Sequence, residues 1–163
     1  MKATGIVRRI DDLGRVVVPK EIRRTLRIKE SDPLEIFTDR DGKIILKKYS
    51  PIGELGDFAK EYAQSLAQVS GYTVCIADHD QIIAASGKRA KEYAGRLIDE
   101  ELETVILNRK TVKLAKKEAV RLTQNDAGGY QSQVISVITS LGDCVGAVII
   151  FSENGETELG ETE

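Results

Sequence analysis

Cysteine and histidine are scarce in this chain of 163 residues, with two of the first and one of the second. Cys75 and Cys144 lie in apolar, strand-like runs without CxxC or Cys/His spacing. They read as small core residues in a reducing compartment, which excludes a disulfide framework and a zinc site. His79 has no partner at metal or general-base spacing, and Asp78 and Asp80 beside it read as turn formers. A Gly-rich phosphate loop, a Ser/His/Asp or Cys/His arrangement and a pair of carboxylates on a rigid scaffold are all missing. The expectation is therefore a protein that is not an enzyme and uses neither a metal nor a cofactor. Long hydrophobic runs are also lacking. MKATGIVRRI has no apolar stretch of a signal peptide, and no segment reaches the roughly 18 apolar residues that span a bilayer. A cytoplasmic protein without membrane contact is expected.

What is present is a division of charge. The net charge of −2 conceals a basic head and an acidic body. Residues 1–50 carry 13 Lys+Arg and 8 Asp+Glu, net +5, whereas residues 51–163 carry 11 and 18, net −7. Only the head is expected to meet a polyanion. Its basic residues are concentrated in RRIDDLGRVVVPKEIRRTLR, residues 8–27, where seven of twenty side chains are Arg or Lys: Arg8, Arg9, Arg15, Lys20, Arg23, Arg24 and Arg27. Pro19 suits a helix start. A helix over about 19–26 places Lys20, Arg23, Arg24 and Arg27 on one face and Ile22 and Leu26 on another. Arg8, Arg9 and Arg15 flank the Asp11-Asp12-Leu13-Gly14 turn between two expected strands, 2–10 and 15–18. Strand and helix cations on one surface are the footprint of a nucleic-acid binder.

A second hairpin is expected from Leu34–Thr38 and Lys43–Tyr49 around Asp39-Arg40-Asp41-Gly42, with Leu34 and Ile45 in its core. The head is thus ββαββ in about 50 residues, which is marginal for an independent core. Exchange of hairpins between two copies answers that shortage, so a homodimer through residues 1–50 is expected.

The run GIVRRIDDLGRVVVPKEIRRTL, then DPLEIF, then IILKKY, resembles the swapped-hairpin DNA-binding domain of the AbrB-type bacterial transition-state regulators. The likeness extends to the stage V sporulation protein T branch. It implies an interlocked β-barrel dimer in which Arg8, Arg15, Arg23 and Arg24 contact double-stranded DNA; the charge pattern adds Arg9, Lys20 and Arg27, and Lys2 is a further candidate. It also implies a regulator of sporulation genes, forming a dimer or a homotetramer.

Ser50-Pro51-Ile52-Gly53 reads as a joint, with a linker over 51–55. The helix that follows, to about Ser70, carries Leu55, Phe58, Tyr62, Leu66 and Val69 near heptad spacing, either packed on its own domain or paired with a partner. Beyond it the pattern gives a hairpin (72–77, 81–86), an amphipathic helix over 88–108, an ambiguous stretch 111–123, a loop at 125–129 and a last hairpin (134–139, 144–151). The fold class is α+β: the swapped-hairpin head, then a small antiparallel-sheet domain over 56–152 whose run of elements looks like a GAF-type sensor. Such a domain implies a small ligand or an oligomerisation role, and no residue stands out as a ligand contact. Tyr130, Ser132 and His79 are expected in surface loops. SENGETELGETE has five acids and no Lys or Arg, so residues 153–163 are expected to form a disordered acidic tail.

Two other readings use the same basic head. An antitoxin typically appends a disordered peptide, against which the patterned strands of 72–151 argue. An RNA binder often stacks bases on aromatic side chains, and residues 8–27 contain none.

Overall fold

The computed structural model describes residues 5–30, 32–153, 155–157 and 159–160. The chain divides into two compact units, residues 1–49 and 50–163. Among the described residues no helix is long and apolar enough to cross a membrane.

In the first unit, helix α1 (Lys20–Thr25) precedes an antiparallel hairpin of β1 (Leu34–Thr38) and β2 (Ile44–Lys48), in register Leu34↔Lys48 through Thr38↔Ile44. Gly42, at φ +76°, closes the hairpin turn in a conformation that strains any other residue. Among the described residues, 5–10 and 15–19 belong to no β-ladder, so the strand expected over 15–18 and the described part of that expected over 2–10 are not formed, whereas residues 2–4 lie outside the described residues. The loop between the two stretches is closed by Asp11 N–H to the Arg15 carbonyl and Gly14 N–H to the Asp11 carbonyl, both at 3.0 Å.

The second unit begins with a helical turn, α2 (Pro51–Glu54), where a linker was expected. Ser50 caps it: its Oγ accepts from Gly53 N–H at 2.9 Å and donates to Asp78 Oδ2 at 2.7 Å. Helix α3 (Gly56–Ser70) follows and is ended by Gly71 at φ +77°. The sheet has strand order β4-β3-β7-β6-β5 and is antiparallel throughout, with β3 (Thr73–Ala77), β4 (Ile82–Ser86), β5 (Val112–Ala115), β6 (Tyr130–Ser140) and β7 (Asp143–Glu153). Two turns of helix, α4 (Ala90–Tyr93) and α5 (Glu100–Leu107), complete it.

Alternation along the strands builds two cores. Val74, Ile76 and Ile150 join Ala59 and Ala63 of α3, whereas Cys75, Ala77, Ile149 and Phe151 join Tyr93, Leu102 and Ile106 of α4 and α5. The sheet is therefore covered on both faces. Gly146 lets β7 pass the end of β3, since a Cβ there would lie 2.1 Å from the Ala77 carbonyl oxygen.

Two further expectations are corrected in this unit, and one open reading is settled. The helix over 88–108 is two short helices, because Gly95 takes φ +73° and Asp99 starts α5 afresh by accepting Glu101 N–H at 3.1 Å. The ambiguous stretch contains the edge strand β5. The described part of the acidic tail is docked rather than disordered. Leu159 is buried in the α3 core, its N–H donates to Ser132 Oγ at 2.9 Å, and Lys113 Nζ donates to the Gly160 carbonyl at 3.0 Å. Residues 154, 158 and 161–163 lie outside the described residues.

Candidate nucleic-acid interface

The two loops of the first unit are copies of one device, Asp-X-X-Gly followed by a cation. Asp11 Oδ1 accepts the N–H of Leu13 (3.0 Å) and of Arg15 (2.8 Å), and Asp39 Oδ1 accepts the N–H of Asp41 (2.9 Å) and of Lys43 (2.8 Å). The second carboxylate oxygen takes the cation: Arg15 Nε at 2.8 Å, Lys43 Nζ at 3.2 Å. The bond from the Arg15 amide, then that from its side chain, hold the Asp11 carboxyl below the usual carboxylate value. Asp39 is lowered in the same way, with the Lys43 amide as the main cause.

Helix α1 starts behind the buried Pro19 and ends in a Schellman motif. Ile28 N–H bonds the Arg23 carbonyl at 2.7 Å and Arg27 N–H the Arg24 carbonyl at 3.3 Å. Lys20, Arg23 and Arg24, at i, i+3 and i+4, share an exposed face of the helix. Arg27 does not continue that row. It sits past the last helical residue at φ +51°, half-buried, and its carbonyl accepts from Lys48 Nζ at 3.0 Å. Lys48 also pairs with Asp32 at 3.2 Å, so the helix end is tied to β2. Arg8 and Arg9 are exposed in the extended stretch before the first loop. Among the described residues no carboxylate pairs with Arg8, Arg9, Lys20, Arg23 or Arg24, whereas Arg15 is held by Asp11. Lys2 lies outside the described residues.

Around these cations the first unit leaves its apolar residues in water. Val7 is 91% exposed, Ile36 70% and Ile44 69%, with Ile10, Val17, Phe37 and Ile45 also exposed. The register puts Ile36 and Ile44 on one face of the hairpin and Phe37 and Ile45 on the other. Both faces are apolar and uncovered, and a lone two-stranded ribbon is at best marginal in water. Leu34 is half-buried and Ile45 exposed, so the expected hairpin core is not closed within one chain.

The second unit offers different chemistry. Tyr130 and Ser132, expected in loops, are buried at the start of β6. The Tyr130 hydroxyl donates to Asp126 Oδ2 and meets the Tyr93 hydroxyl at 3.0 Å; both rings stand edge-on to Phe151, at 5.0 and 5.3 Å. Burial pushes both phenols up, Tyr93 to about 12. Asp126 also accepts Leu122 N–H and Gly128 N–H, each at 2.8 Å, so this network pins the 122–130 loop. His79 is half-buried, with Nε2 2.7 Å from the Cys144 carbonyl oxygen. Open depressions of about 220 Å³, beside Lys116, Arg121 and Gly129, and of about 450 Å³, beside Arg96 and Thr123, flank the pinned loop. No group of three metal-ligating side chains exists among the described residues. Both cysteines are buried and free, and burial raises the Cys75 thiol.

A family described as stage V sporulation protein T C-terminal, transcription factor, matches residues 54–163. Stage V sporulation protein T of Bacillus subtilis (strain 168) is 55% identical over 163 residues, 100% of this chain and 90% of the relative. The chain belongs to the stage V sporulation protein T family. Its α+β fold is accordingly that of a family of transcription factors, with an AbrB-type head. The transition state regulatory protein AbrB of the same organism is 69% identical over 51 residues, 31% of this chain and 52% of the relative. A solution structure of the N-terminal DNA recognition domain of Bacillus subtilis AbrB covers 31% of this sporulation protein T homologue and 94% of that domain, at 69% identity and a TM-score of 0.28. A second family, the antidote-toxin recognition MazE bacterial antitoxins, matches residues 7–54.

Asp11 was not among the residues singled out by sequence. The signal was available: an aspartate four residues before an arginine, with a glycine between, repeated at Asp39–Lys43.

Proposed function

We propose that this member of the stage V sporulation protein T family is a homodimeric, sequence-preferring DNA-binding regulator of sporulation genes, acting on the nucleoid in the cytoplasm. Arg8, Arg15, Arg23 and Arg24 carry the contact, with Arg9, Lys20, Arg27 and Lys2 around them. The observation that carries this reading is the 69% identity to AbrB over 51 residues. Two physical facts support it. Unpaired guanidinium groups bind phosphate and release counterions, and they read guanine edges bidentately. An apolar, uncovered ribbon of about 50 residues gains a core when a second copy interlocks with it. The same pairing would complete the ladders that residues 5–10 and 15–19 lack alone.

The second unit is the association module. Exposed Phe58, Tyr62, Leu66 and Val69 of α3, with Leu55 just before it, form an apolar stripe beside the inward Ala59 and Ala63. Pairing along it strengthens the dimer, or joins two dimers into a homotetramer. A small ligand, where one acts, meets this unit at the depressions flanking the 122–130 loop.

The antitoxin reading draws on the MazE match at residues 7–54. An ordered second unit with two cores favours the regulator. Gel-shift titration at low salt, with genomic fragments recovered by occupancy mapping of the parent protein, tests the proposal. Arg15→Ala and Arg24→Ala each weaken binding about tenfold or more, the size of one lost bidentate contact. Unchanged affinity for both variants would overturn it.

A further inference from the structure

Arg15 and Lys43 occupy equivalent places in twin loops, but their side chains meet the loop aspartate differently. Asp11 Oδ2 receives Arg15 through Nε alone, at 2.8 Å. Among the described residues nothing else bonds the guanidinium, so its two terminal nitrogens are uncommitted. The arginine side chain stays 68% exposed. A guanidinium captured at Nε is restricted in orientation, and its end-on edge, with one N–H from each terminal nitrogen, points away from the captor. Lys43 Nζ, by contrast, spends its only charged atom on Asp39 and Asp41, at 3.2 and 2.9 Å.

We propose that Asp11 is a positioning residue for Arg15: it holds the guanidinium through Nε so that the two terminal nitrogens form a preset fork toward one DNA group. The inference rests on the reading above that Arg15 contacts DNA. Its logic is a trade between attraction and orientation. A carboxylate beside the cation lowers the pull on any phosphate, which weakens sequence-blind binding. In return the fork is ordered before binding, so less rotamer freedom is lost on contact. The same hydrogen bonds hold the Asp11 carboxyl below its usual value, the Arg15 amide first.

The test compares two duplexes, one selected from a random pool by the parent protein and one scrambled at the same base composition. Asp11→Asn keeps Oδ1 as acceptor for Leu13 and Arg15 N–H but removes the anion. It should bind the scrambled duplex more tightly with a steeper salt dependence, while the selected-to-scrambled affinity ratio falls about tenfold, as for one lost bidentate base contact. In an Arg15→Ala background the same change should leave the ratio where it is, and Asp39→Asn should not move it in the parent. If Asp11→Asn alters both affinities equally, or Asp39→Asn lowers the ratio as much, the positioning role is overturned. Should Asp11→Asn unsettle the head, Arg15→Lys carries the test: charge is kept and the fork is lost, so scrambled binding holds and the ratio falls. An unchanged ratio in Arg15→Lys overturns the role. Parent-like binding by Arg15→Ala is a different failure, and removes Arg15 from the interface altogether.

Discussion

At the residue scale, the basic set was legible because charge pattern needs no tertiary knowledge: seven cations in twenty residues, four of them at helical spacing. What the pattern missed was how each cation is held. Arg27 leaves the row because α1 stops at Thr25, and a Schellman ending is set by backbone bonds rather than by side-chain period. Arg24 is exposed and unpaired, so Arg24→Ala should leave the thermal midpoint within the small range of surface substitutions, about 0.5 kcal/mol, while DNA affinity drops. Loss of binding together with unfolding would show a structural role instead. Gly146 is the opposite case. Gly146→Ala drives a methyl into the Ala77 carbonyl and should cost about 1–3 kcal/mol, read as a lowered denaturation midpoint. An unchanged midpoint would contradict the close approach. Tyr93 gives a pH test. Burial raises its hydroxyl from 10.0 to about 12, so the folded state holds that proton more tightly than the unfolded chain. The contribution is complete below pH 10 and is lost as pH climbs toward 12, by roughly 3 kcal/mol at most. The parent's melting temperature should therefore fall more steeply than that of Tyr93→Phe over this window; parallel curves would refute it.

At the element scale, hairpins with a clear turn were readable and irregular connections were not. Asp-X-X-Gly at 39–42 marked the turn of the β1–β2 hairpin, and the apolar run 144–151 after the turn at 140–143 marked β7. The stretch 88–108 misled because Tyr93, Leu97, Ile98, Leu102 and Ile106 keep a helical period across a break. The break is made by Gly95 in the left-handed region and by the Asp99 cap, with Leu97 and Ile98 bridged to Gln81 and Thr123. The tail misled through composition. Acidic residues suggested disorder, yet one leucine, Leu159, has a place in the core beneath α3. The heptad-like row of α3 was read correctly as a row, and the structure shows that it faces outward, with Phe58 and Tyr62 both over 60% exposed. Phe58→Glu should leave the melting transition of dilute protein nearly unchanged, but weaken self-association, seen as a shift to smaller species in sedimentation velocity. A large drop in folding stability with unaltered association would place the row inside the fold.

At the scale of the whole molecule, charge divides into a basic head and an acidic body, and the proposed function gives the polyanion to the first and the partner to the second. Among the described residues one chain leaves the head incomplete: residues 5–10 and 15–19 join no ladder, and the β1–β2 hairpin has two wet apolar faces. Sequence could announce the shortage of core, since about 50 residues bury too little surface, but a single chain cannot display the partner that supplies it. The proposed interface therefore needs two copies presenting their arginines together to one duplex. Native mass spectrometry of the full chain bound to a short duplex tests this most directly. It should record an even number of protomers, two or four, on each duplex. A complex of one protomer with one duplex would contradict it.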